Sequence, residues 1–114
     1  MTSTLQLVVL RSQNVDKLKL FYETIGLSFV HEKHGNGPLH YSCTMGELVL
    51  ELYPTMHDAD TAGIGFCVSD IEQIIASVQQ EYIYQHPIVI EHQKRAVLRD
   101  PDGRAVYLWE KSCL

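Results

Sequence analysis

The chain has 114 residues, 46% of them hydrophobic and 20% charged, with a formal net charge of -5. That is enough for one compact domain whose core needs no disulfide or metal staple. The acidic balance, with no long basic run, argues against nucleic acid as a partner. The longest early apolar run, residues 7–10, ends at Arg11 and is far too short for a membrane span or a leader core.

Residues 5–10 read as a strand. Asn14 is a candidate N-cap, and Val15, Leu18, Phe21, Tyr22 and Ile25 follow at helical spacing, so residues 15–25 read as an amphipathic helix closed by Gly26. Strands are expected at 27–32, 39–44 and 48–53, separated by turns at 33–38 and around Gly46. Residues 54–62 are small and polar, a connector. The order then recurs: a strand at 64–68, Asp70 as N-cap with Gln73 three residues on, a helix through Ile71, Ile74, Ile75, Val78 and Tyr82, a strand at 88–91, and a turn at 92–94. The chain finishes in a hairpin around Asp100-Pro101-Asp102-Gly103, with Pro101 suited to the second turn position and Gly103 to a positive φ. On its last strand Ala105, Tyr107 and Trp109 share one face and Val106 and Leu108 the other. A strand apolar on both faces is expected to be covered on both.

One offset tests the recurrence. Adding 56 takes Asn14 to Asp70, Val15 to Ile71, Leu18 to Ile74, Tyr22 to Val78 and residues 49–53 to 105–109. Caps, helix faces and final strands fall into register without a gap, the mark of a tandem β-α-β-β-β repeat. The domain organisation expected is a single domain over 1–114, with unit one at 5–53, the connector at 54–62 and unit two at 63–110.

This repeat resembles the vicinal oxygen chelate superfamily, which includes glyoxalase I, extradiol dioxygenases and the bleomycin-resistance proteins. The most specific pieces are residues 15–27, similar to that family's helix ending in Phe-Tyr and Leu-Gly, and the Arg-Asp-Pro-Asp-Gly turn at 99–103. The resemblance implies an α+β fold in which two units curl into a half-open, cupped barrel with helices outside, often paired as a homodimer. It also implies metal-ligand positions on the first and last strand of each unit, here Leu7, Glu51, Gly63 and Tyr107. Leu and Gly carry no donor, and a phenol is a poor ligand near neutral pH. Only Glu51 remains, and one carboxylate does not hold a divalent ion against water. No metal and no cofactor is therefore expected at that site.

His31, His34 and His40 surround one turn without the i, i+4 spacing of a helical metal pair, and read as surface or hairpin histidines. His57, His86 and His92 fall in connectors or strand ends. The three cysteines lack a metal-type spacing and read as reduced thiols of a cytoplasmic protein, with Cys43 and Cys67 packed in strands and Cys113 on the tail.

Alternation gives the face that would line a cavity: Leu7, Val9 and Arg11; Val49, Glu51 and Tyr53; Gly63, Gly65 and Cys67; Ala105, Tyr107 and Trp109. Such a lining is apolar and aromatic with one cation and one anion, the composition of a small-molecule site. Arg11 is either an anion grip or a partner for Glu51. Gly63 and Gly65 either leave room for a planar group or mark a bend or close crossing. The ligand-binding residues expected are Arg11, Glu51, Tyr53, Cys67, Tyr107 and Trp109. The expected function is metal-independent binding of a small molecule in an aromatic cleft, as in the bleomycin-resistance branch. The alternative is a glyoxalase- or dioxygenase-type lyase or isomerase with Glu51 as base or metal ligand, so whether the chain is an enzyme stays open.

Overall fold

Period-two strands and helical spacing between them set the architecture of the computed structural model, which describes residues 2–111. The elements run β1 (Leu7–Ser12), α1 (Val15–Thr24), β2 (Val30–Glu32), β3 (His40–Met45), β4 (Leu48–Pro54), β5 (Ile64–Val68), α2 (Ile71–Ser77), a 3-10 turn (Gln80–Tyr82), β6 (Ile83–Ile90), β7 (Gln93–Arg99) and β8 (Ala105–Glu110). They form two four-stranded sheets, ordered β1-β4-β3-β2 and β5-β8-β7-β6. In each, the first strand pairs parallel with the last, and the other pairs are antiparallel. The chain divides into two units, one up to Asp60 and one from Thr61. The fold is α+β, two βαβββ units in tandem. Among the described residues no helix is long and apolar enough to cross a membrane.

In the first unit Asn14 caps α1 as expected: its side chain accepts the Lys17 N–H. Gly26, at φ 104°, ends the helix, and Leu27 N–H donates back to the Tyr22 carbonyl. Leu18, Phe21, Tyr22 and Ile25 are buried, as are Leu10, Cys43, Leu50 and Leu52 on the sheet. Tyr41, on the same sheet face as Cys43, donates its hydroxyl to Asp16 of α1. That bond, with desolvation adding to it, raises the phenol pKa above its ordinary value.

In the second unit Asp70 caps α2 by accepting the Gln73 N–H. Ile71, Ile74 and Val78 are buried, as are Ala96, Leu98, Val106 and Leu108. The helix is shorter than its spacing predicts. Ser77 turns its hydroxyl back onto the Gln73 carbonyl, and Val78 is extended at ψ 153°. The residues after it belong to a 3-10 turn and then to β6, which starts five residues earlier than expected and contains His86 and Pro87. This edge strand has two register shifts, one between Ile83 and Gln85 and one between Gln85 and Ile88, and the second spans Pro87, which has no N–H to give the ladder.

The hairpin after β7 is built on buried charge. Arg104, with a fully buried side chain, sets Nη1 2.9 Å from Asp100 Oδ2 and 3.3 Å from Asp102 Oδ2. Asp100 Oδ1 also accepts the N–H groups of Asp102 and Arg104, and Gly103 takes φ 86°.

Candidate functional site

The face of each sheet turned away from its helix carries most of the expected site residues. In the first sheet the register Leu7↔Val49, Val9↔Glu51 and Arg11↔Tyr53 brings the expected residues onto one face. Ser42 lies opposite Glu51, so by alternation His40 shares this face. Arg11 is exposed at the β1 end of this face, beside Tyr53, and its backbone N–H donates to Asp60. Glu51, the expected base or anion, faces a histidine: its Oε2 lies 3.3 Å from His40 Nε2.

His40 is not the surface or hairpin histidine the spacing suggests. It is only 1% exposed. Its ring stacks on Tyr53, with centroids 4.2 Å apart and planes 9° apart. Its Nδ1 lies 3.3 Å from the Pro38 carbonyl, and the His34 ring is 5.2 Å away. Strand alternation counted from the Gly46 turn places His40 and Glu51 together, which is the signal the histidine spacing lacks.

In the second sheet Gly65↔Tyr107 and Cys67↔Trp109 share a face. The next strand adds Val97 opposite Tyr107 and Arg95 opposite Trp109, and β6 adds Gln85 and Ile88. Gln85, Ile88, Arg95, Val97, Tyr107 and Trp109 line a cavity of about 310 Å³. Tyr107 is 48% exposed and Trp109 half-buried, so this face is not covered as a strand apolar on both sides implies. The glycines leave no empty notch. A Cβ on Gly65 would lie 2.7 Å from the Trp109 ring, and one on Gly63 3.1 Å from the Tyr107 ring. Each aromatic side chain fills the space that a neighbouring glycine lacks. Cys67 is exposed beside Trp109 instead of packed in the interior, whereas Cys43 is buried; both are free thiols. Cys113 lies outside the described residues. Arg95, Val97 and Gln85 are cavity residues outside the expected lining, which comes from the first and last strand of each unit alone, whereas these three stand on β7 and β6.

The arrangement does not fit a metal at the positions the resemblance implies. Leu7 and Gly63 carry no donor, and the space a side chain at 63 would need is taken by the ring of Tyr107.

No family model matches the chain, and no curated protein matches it. Solved structures do. An oxidase, ChaP-H2, superposes with a TM-score of 0.77 at 13% identity, over 98% of this chain and 96% of that one. TnmS3, an antibiotic binding protein from Streptomyces sp. CB03234, gives 0.73 at 24% identity, over 97% and 98%. UcmS2 gives 0.75 at 17% identity, over 96% and 98%. These identities carry the fold alone: the chain shares the tandem βαβββ fold of these proteins.

Proposed function

We propose that the chain is a metal-independent small-molecule binding protein that takes a planar ligand in an aromatic cleft on the open face of the second sheet. The observation that carries this reading is the seating of Tyr107 and Trp109 on Gly63 and Gly65 beside a cavity of about 310 Å³. Rings braced this way offer pre-positioned stacking surfaces. Arg95 at the rim suits a ligand with an anionic group, held through the planar guanidinium. Cys67 borders Trp109 and is a further proposed contact. TnmS3, described as an antibiotic binding protein, shares the fold and agrees with this reading.

Trp109 is the only tryptophan in the chain, so its emission reports on the cleft. Titration with a panel of planar aromatic acids is expected to quench it saturably. Tyr107→Ala should weaken binding by about tenfold, equivalent to ~1.4 kcal/mol of lost stacking. Gly65→Ala should displace the Trp109 ring, shift the emission of the free protein and weaken the same ligand. Quenching that neither variant alters would overturn the reading. Mass spectrometry of the recovered ligand separates binding from catalysis: conversion lost in Glu51→Gln would favour the lyase or isomerase alternative.

A further inference from the structure

We propose that the β2–β3 hairpin of the first unit carries a divalent-cation site with Glu32, His34 and His40 as donors and Glu51 beside them. One donor atom from each of the three residues lies within 4.8 Å of the others. The site shares only Glu51 with the family-type positions at 7, 51, 63 and 107, and it stands independently of the aromatic cleft of the second unit.

His40 is the centre of the argument. The Pro38 carbonyl accepts and cannot donate, so the contact with it places a proton on Nδ1. In the neutral ring this leaves the lone pair on Nε2. That atom is buried and has no hydrogen-bond partner among the described residues, although Glu51 Oε2 lies 3.3 Å away. In the neutral ring the two are acceptors 3.3 Å apart in a geometry that makes no hydrogen bond, an arrangement that a cation bound by both relieves. Stacking on Tyr53 holds the ring in place. A metal-bound histidine is ordinarily oriented this way, with its second nitrogen donating to a carbonyl.

The donor types and the two closest pairs suit Zn²⁺, and the remaining donor separations, up to 4.8 Å, close on binding through the exposed His34 side chain. Bonds of about 2.0–2.1 Å in tetrahedral geometry put neighbouring donors roughly 3.3–3.4 Å apart. His34 Nε2 and Glu32 Oε2 are 3.4 Å apart, and His40 Nε2 and Glu51 Oε2 are 3.3 Å apart. Two imidazoles with carboxylates favour a borderline ion over Mg²⁺ or Ca²⁺, which prefer all-oxygen shells. The His34 side chain is 70% exposed, so the ion has a route in from solvent.

The test uses the untagged full chain, stripped of metal with a chelator. Zn²⁺ is titrated in competition with a chromogenic chelator, and Co²⁺ is titrated while its visible absorption is followed. One Zn²⁺ per chain and the intense bands of four-coordinate Co²⁺ are expected. His34→Gln and Glu32→Gln, both outside the buried core, should each lower affinity at least about tenfold and leave the melting temperature of the metal-free protein unchanged. A His40 variant risks the fold and is not required. Three results would each overturn the proposal: no stoichiometric binding, binding that survives both variants, or an NMR signature of His40 doubly protonated in the presence of equimolar Zn²⁺. The last would mean that a proton alone bridges His40 to Glu51.

Discussion

The buried Asp100 carboxylate accepts hydrogen bonds from two backbone N–H groups of its own turn and from the buried Arg104. Removing one partner of a buried pair strands the other charge, which costs more than the pair contributes. Asp100→Ala is therefore expected to lose about 3–5 kcal/mol in urea unfolding, and Asp100→Asn, which keeps the shape and part of the bonding, to lose less. A change in Asp100→Ala below ~0.5 kcal/mol would show that Asp102 alone satisfies Arg104. At this scale the sequence is legible where the chemistry is local. Asn14, Asp70 and Gly103 act within three residues of themselves and play the parts their types suggest. Arg104 and His40 were not legible. A charged or titratable residue beside a turn reads as solvated, and only the neighbours supplied by the fold show that each is sealed in. Gly63 and Gly65 fall between: their lack of bulk is plain from sequence, but not that Tyr107 and Trp109 occupy the space.

The turn between β6 and β7 is made by Glu91 and His92, both at positive φ, 51° and 67°. A two-residue hairpin turn of this hand favours Asn-Gly, because side chains with a bulky Cβ strain the left-handed region. Glu91→Asn combined with His92→Gly should raise stability by about 0.5–1 kcal/mol, read as a higher melting temperature with the ligand cleft unchanged. A fall would mean that the flexibility added to the unfolded chain outweighs the relieved strain. Elements whose hydrophobic period is unbroken, such as α1, β4 and β8, lie within a residue of where spacing places them. The stretch from Val78 to Ile90 does not. Tyr82 continues the helical period by coincidence and Pro87 interrupts the strand period, so neither pattern survives to mark β6. Its register shifts are the structural trace of that conflict.

Both units keep the same strand order and the same capped helix, which is why an offset of 56 residues read from sequence finds the architecture. The helix-facing sides of the sheets are alike, while the open faces have diverged. One is ionic and imidazole-rich, the other aromatic on glycine, and no repeat argument foretells that difference. The homodimer that the family resemblance implies is our proposal at this scale, and light scattering should read twice the chain's 13.0 kDa; a monomeric mass would retire it. The parallel pairs carry a separate consequence. Leu7 pairs with Val49 and Ile64 with Val106, each 42 residues further on. During synthesis the first strand of each unit leaves the ribosome early and has no partner until the fourth has emerged. Closing so long a loop is entropically slow, so a nascent chain halted before Leu48 still exposes the apolar residues of β1 and α1. Such arrested chains should engage chaperones and resist protease poorly, and protection should arrive in two steps, as β4 and then β8 clear the exit tunnel.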